Sequence, residues 1–261
     1  MTAVIVRAAL APLLSEPSLR AEQVNQMVLG ETADELERSG EWRRVRARVY
    51  GYEGWAHAGY LRETGDEEAE TWRREADGWS LGATVRVGER RVRLPLRARV
   101  VLDDGTVRLP DGRRGRVVDG AVEAAGKAVA AARGKAPERW ALEHFEGAPY
   151  EWGGVTPCGV DCSGLVQTTF AARGIALPRD SAQQMECGAP VPPDAIHPGD
   201  LLFFRGDASR HITHVAFAAE ADTLVHSAIA CGGMAVESWL PGARAAGLRD
   251  RLAAVRRLEE R

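Results

Sequence analysis

Tyr150-Glu151-Trp152-Gly153-Gly154, then Cys158, then Asp161-Cys162-Ser163-Gly164-Leu165 is the stretch from which the rest of the chain can be read. Leu165, Val166, Thr169 and Phe170 share one face at helical spacing, which predicts a helix over about Ser163–Ala172 with Gly174 at its C-terminal end. Cys162 then lies in the first turn of a helix entered through a glycine-rich loop. Converging backbone N–H groups and the positive end of the helix dipole are expected to depress such a thiol from about 8.5 toward roughly 3.5–7.5.

A thiol so placed needs a base. Strands are predicted at Asp200–Phe204, Ile212–Ala218, Thr223–Ala228 and Met234–Trp239. A simple hairpin centred near residue 220 would set His214 opposite His226 on one face, so that His214 can take the Cys162 proton while His226 orients the other ring nitrogen. Taken singly these residues mean little: a free cysteine is commonly an inert small hydrophobe, and a lone strand histidine a satisfied polar group. Cys158 and Cys162 find no further His or Cys at a spacing that completes a tetrahedral set, so no metal is expected. Together with Cys187 and Cys231 they read as free thiols.

Upstream, Pro137-Glu138-Arg139 opens a helix that Gly147-Ala148-Pro149 closes. Residues 1–68 carry short turn-bounded apolar runs (Val24–Leu29, Trp42–Tyr50, Gly54-Trp55-Ala56), the pattern of a small β-barrel. Residues 75–120 repeat it, with Ala83–Val87, Val92–Val101, Thr106–Leu109 and Arg114–Val118 punctuated by Asp104-Gly105 and Asp111-Gly112. The acidic run Gly65–Glu70 and the alanine-rich stretch within 121–135 read as linkers, the second helical. The last segment, 136–261, has a mixed, α+β texture. Between residues 86 and 116 ten arginines face four acids, either the polar outer faces of strands or a site for an anionic ligand.

With 261 residues, 45% of them hydrophobic, the chain is neither disordered nor a disulfide-stapled miniprotein. The net charge of −3 withholds global support from nucleic-acid binding. All cationic residues except Lys127 and Lys135 are arginines, which carries no functional weight. No run of 18 apolar residues predicts a membrane helix, and the apolar Met1–Leu14 segment lacks a basic stretch before it and is interrupted by Arg7. The expectation is a cytoplasmic monomer without cofactor, membrane or nucleic-acid partner.

Six ordered motifs carry a resemblance: Pro149–Gly154, Asp161–Gln167, Gly174–Ser181, Gly199–Phe204, Ile212–Val215 and Val225–Ser227. Over about residues 136–258 they resemble the NlpC family of bacterial cell-wall cysteine peptidases. The resemblance implies an α+β, papain-like cysteine peptidase domain preceded by two small bacterial SH3-like β-barrels. It makes Cys162 the nucleophile, His214 the base, His226 the orienting residue, and Tyr150 a group beside the oxyanion. His211 precedes the matching motif and has the opposite strand parity. The resemblance also implies murein stem peptides as substrates, cleaved between γ-linked D-glutamate and a diamino acid such as meso-diaminopimelate.

In members with two SH3-like domains, the first restricts the groove to peptides with a free N-terminal L-alanine. Tyr52 matches the tyrosine of that cap, and Glu31 is the weaker match for the ammonium. Asp161, Ser163, Asp180 and Ser181 join the substrate-binding set. Two alternatives stay open: Asp161 as a cap of the Cys162 helix, and Arg179 as a structural ion pair of Asp180. The expected activity is endopeptidase action on free murein peptides in cell-wall recycling. The rivals are a secreted enzyme trimming intact wall, a non-catalytic binder of an anionic polymer, and acyl transfer to an amine. The family pattern also favours a closing strand at Leu252–Leu258, which reads locally as helical.

Overall fold

Alternating apolar and polar residues build the N-terminal strands, and the apolar positions turn to one interior. In a computed structural model, which describes residues 2–207 and 210–258, these strands are β1 (Thr2–Val6), β2 (Leu10–Leu14), β3 (Gln23–Val28), β4 (Thr32–Ser39), β5 (Trp42–Ala47), β6 (Glu53–His57) and β7 (Leu61–Gly65). They pair antiparallel in the order β3-β2-β6-β5-β4-β1-β7. Val4, Val6, Leu13, Met27, Val45 and Leu61 meet in the core, with Tyr52 packed half-buried against it. β1 is apolar at both parities because its other face is also covered: Ile5 packs on Trp72 of helix α1 (Asp66–Glu75) and on Ala76. The acidic run read as a linker is the start of this helix. Asp66, Glu67 and Glu68 meet the positive end of its dipole and Arg73 and Arg74 the negative end.

β8 (Gly78–Val87), β9 (Arg90–Asp103), β10 (Thr106–Arg108) and β11 (Arg114–Ala124) close into a barrel, order β10-β11-β8-β9. Asp104 and Gly105 have φ of 39° and 78°, the positive pair that a two-residue hairpin turn of type I′ demands. The second expected linker is also structured: Val122–Ala124 finish β11, and helix α2 spans Ala125–Arg133. The chain divides into two units within α2, Met1–Val129 and Ala130–Arg261.

The second unit comprises α3 (Pro137–Phe145), β12 (Val155–Thr156), β13 (Gly159–Val160), α4 (Cys162–Ala172), α5 (Ser181–Gln184), β14 (Ala189–Pro190), β15 (Leu201–Arg205), β16 (Ile212–Ala219), β17 (Thr223–Ala228), β18 (Gly233–Ser238) and β19 (Leu252–Arg257). Its main sheet runs β14-β19-β15-β16-β17-β18. Helix α4 is buried along nearly its whole length, and its Phe170 ring lies 6.0 Å from Phe217 of β16. Leu202, Phe204, Leu224, Trp239 and Val255 form a core on the sheet. The segment with a helical local texture is thus strand β19. Pairing Leu202 with Val255 and burying Val255 outweighs the modest helix preference of its alanines and arginines.

Candidate active site

Asp161 opens α4. Its carboxylate accepts the N–H of Gly164 at 2.8 Å and that of Gly153 at 2.8 Å, and the Ser163 hydroxyl at 3.2 Å. The buried Arg179 guanidinium closes the set, donating to Asp161 and, at 2.7 Å, to Ser163 Oγ. Two glycines make this junction possible. Gly153 sits at φ 79°, and a Cβ on Gly164 would lie 2.0 Å from the Gly154 carbonyl oxygen. Asp161 is therefore spent on capping, and Arg179 is the ion-pair partner of Asp161, where Asp180 had been one expected alternative. Burial pushes the Asp180 carboxyl upward, and Ser181 is buried at the start of α5.

Cys162, in the first turn of α4, lines a cavity of about 280 Å³ together with Tyr150, Arg205, His214, His226 and Arg251. Larger cavities of about 450 and 760 Å³ open elsewhere in this unit, and neither holds a cysteine. His214 Nε2 lies 2.8 Å from His226 Nδ1, and His226 Nε2 lies 3.0 Å from Glu237 Oε2. The Phe204 ring stacks on His214 with centroids 5.9 Å apart. The hairpin between β16 and β17 pairs Phe217 with Val225 and Ala219 with Thr223, so its centre is residue 221 and the two histidines meet diagonally, not directly opposite.

The hydrogen-bond chain assigns the protons. Glu237 can only accept, because Arg244 above all holds its carboxyl down to about 2. His226 therefore carries its proton on Nε2 and accepts at Nδ1, so His214 donates from Nε2 and keeps a free lone pair on Nδ1. Burial, then the neighbouring His226, pushes His214 down to about 3, and burial also lowers His226. Both rings are neutral near pH 7.

The thiol differs from the expectation. Burial, then the Asp161 charge, pushes Cys162 up to about 11, against the lowering by the N–H groups of Val215 and Ser163. Desolvation exceeds the helix-terminus effect, and with a neutral His214 there is no imidazolium to hold a thiolate. The arrangement places a neutral thiol and a neutral imidazole in one cavity, suited to proton removal during attack. Tyr150, pushed up to about 12 chiefly by burial, keeps its hydroxyl as a donor.

Glu237, Arg244 and Cys231 were missed in the sequence. Glu237 reaches His226 because β17 pairs with β18, His226 opposite Ala235 and Leu224 opposite Glu237. Strand parity alone could have flagged that diagonal. His226, Cys231 and Glu237 bring three ligand atoms within 4.8 Å of one another, the geometry a metal ion needs. Arg244 already supplies positive charge there, touching Cys231 Sγ at 2.7 Å and Glu237, so the cluster reads as an ion-paired network.

The first unit places the remaining expected residues. Glu31 is buried and pairs with the buried Arg97 at 2.9 Å, while its second oxygen accepts the Val28 N–H at 3.0 Å. Arg97 itself sits at φ 71°.

Residues 147–242 match the NlpC/P60 family, and residues 3–62 match the bacterial SH3 domain. A γ-D-glutamyl-L-lysine dipeptidyl-peptidase of Bacillus subtilis is 40% identical over 84 residues, 32% of this chain and 28% of that protein. A probable endopeptidase NlpC of Escherichia coli is 36% identical over 94 residues, 36% of this chain and 61% of that protein. The chain thus spans less than two thirds of either relative. The crystal structure of an NlpC/P60 family protein from Bacillus cereus superposes with a TM-score of 0.79 at 21% identity, covering 98% of this chain and 99% of that one, a likeness of fold. Within the second unit, residues 147–242 are accordingly similar to the NlpC/P60 family, and within the first unit residues 3–62 are similar to the bacterial SH3 domain.

Proposed function

We propose that the protein hydrolyses the γ-D-glutamyl–L-diamino acid bond of murein peptides bearing a free N-terminal L-alanine, in the recycling of cell-wall peptides. The observation that carries this reading is the chain His214–His226–Glu237, which leaves His214 Nδ1 as a free base in the cavity that holds Cys162. His214 takes the Cys162 proton as sulfur attacks the γ-carbonyl carbon. The oxyanion is met by the Tyr150 hydroxyl and the N-terminal N–H groups of α4. His214 then protonates the departing amine, leaving a thioester. Water, deprotonated by the same ring, attacks the thioester and releases the peptide acid and the thiol.

Arg205, which makes no ion pair among the described residues, lines the cavity and suits a substrate carboxylate. Tyr52 and Glu31 are assigned to the free amine, a role in which Glu31 must share its carboxylate with Arg97. Ser163, Asp180 and Ser181 remain proposed substrate neighbours, although the Ser163 hydroxyl is engaged by Arg179 and Asp161.

The test is mass-resolved cleavage of L-Ala-γ-D-Glu-meso-diaminopimelate beside its N-acetylated twin, with Cys162→Ala as blank. Cleavage of the free-amine peptide alone, abolished in a folded Cys162→Ala variant, is expected. Equal cleavage of both would remove amine recognition and favour trimming of intact wall. Hydrolysis retained in the variant would refute the mechanism.

A further inference from the structure

The two sheets of the first unit treat their arginines in opposite ways. On β5, Arg43, Arg44 and Arg46 are each matched by acids: Arg43 pairs with Glu63 of β7, and Arg44 and Arg46 pair with Glu53 of the adjacent β6. In the barrel β8–β11, register sets Arg116 opposite Arg86 and Arg86 opposite Arg91, three like charges in one row across three strands. Arg93, opposite Thr84, extends the row along β9 on the same face. All four are exposed, and among the described residues none of their side chains forms an ion pair or hydrogen bond.

The nearby acids form no ion pair with them, although Asp119, opposite Thr84, lies in the same cross-strand line as Arg93. Asp103 is taken by Arg114, Asp111 by Arg113, and Glu89 and Asp119 make no ion pair among the described residues. Like charges directly opposite on antiparallel strands destabilise a sheet, and the β5 strand shows that this chain elsewhere supplies the compensating acids. Directly paired residues stand ~5 Å apart and alternate residues along a strand ~7 Å apart, so the four guanidinium groups offer a closely spaced patch of positive charge.

We propose that this face of the barrel binds a linear polyanion, a polymer carrying phosphate or carboxylate groups along its length, as a function separate from peptide cleavage. Guanidinium groups take such groups in bidentate fashion. The row exposes no aromatic side chain on which a base would stack, which favours a polymer read by charge over single-stranded nucleic acid.

The experiment titrates the full chain with soluble polyphosphate and, in a parallel arm, polyglutamate, over a range of salt concentrations. Whichever polymer binds tighter identifies the anionic group. Four contacts predict a log–log salt slope of about −3. The Arg86→Gln/Arg91→Gln variant is expected to lose at least tenfold in affinity and about half the slope. The Arg44→Gln/Arg46→Gln variant, altered in the neutralised stripe, is expected to bind as the parent does. Melting temperature serves as the folding check, and relief of repulsion predicts that the first variant melts no lower than the parent.

Cleavage of short peptides stays unchanged in both variants, which separates this outcome from that of the proposed peptidase activity. Absence of binding to either polymer at low salt, or equal losses in both variants, overturns the proposal. So does binding confined to anionic lipid vesicles, or single-stranded DNA binding tenfold tighter than polyphosphate of equal charge.

Discussion

Glu237 decides where two protons sit, although it hydrogen-bonds neither Cys162 nor His214. Replacing it with Gln lets an amide N–H face His226 Nε2 and breaks the rule that this nitrogen must donate. Glu237→Gln is expected to lower kcat by about 10²-fold with little change in KM. Because the Glu237 carboxylate raises both histidines, its loss also moves the acid limb of the kcat/KM profile to lower pH. An unmoved acid limb, measured across pH 3 to 8, would reduce Glu237 to a packing role. The placement of Cys162, His214 and His226 was legible in the sequence because each sits in a local pattern, a glycine loop entering a helix and two apolar strands. Glu237 was not, since its contact with His226 arises only when β18 pairs with β17. The state of the Cys162 thiol was misjudged for a related reason. A helix N-terminus is visible in sequence, whereas the burial that outweighs it is a property of the folded core.

Among the elements, those bounded by local chemistry were read closely. The helix expected over Ser163–Ala172 begins one residue earlier, at Cys162, and the strand expected over Thr223–Ala228 has those bounds. The elements misread as linkers, α1 and the end of β11, are held by contacts distant in sequence, as when Trp72 donates its indole N–H to the Gly30 carbonyl at 2.8 Å. The Leu29–Glu31 turn is another such case: Arg99 N–H bonds Leu29 O at 2.8 Å, and Arg97 of β9 buries its charge on Glu31. Glu31→Ala removes the carboxylate that faces this buried guanidinium and is expected to destabilise the first unit by about 3–5 kcal/mol, read by urea unfolding of the full chain. Glu31 would then fail as a substrate ligand test unless stability were measured beside activity. A loss below about 1 kcal/mol would mean that Arg97 finds another partner.

For the whole molecule, buried ionisable groups set a pH window of stability. His214 stays neutral down to about 3 when folded, against an ordinary 6.5, and His226 is lowered as well. Below pH 6.5 the unfolded chain gains protons that the folded chain refuses, so stability is lost as pH falls toward 3. Glu237, held at about 2 against 4.5, adds a loss between those values. On the alkaline side Cys162, at about 11 against 9, loses stability as pH rises through that range. Melting temperatures are expected to be level between pH 7 and 9 and to fall on both sides. A flat profile from 7 to 4 would contradict the burial of neutral histidines.

Strand β19 lies between β14 and β15 in the sheet of the second unit, although its residues, Leu252–Arg257, follow every other described strand. A ribosome therefore delivers Cys162, His214 and His226 before it delivers the strand that joins β14 to the rest of the sheet. While that strand is still unsynthesised, β15 presents an open edge, and a nascent chain in this state can pair with other strands. The sheet is thus completed only after the residues of the candidate site have been made, and chains truncated before residue 252 should be captured by chaperones or aggregate instead of folding into a shortened second unit.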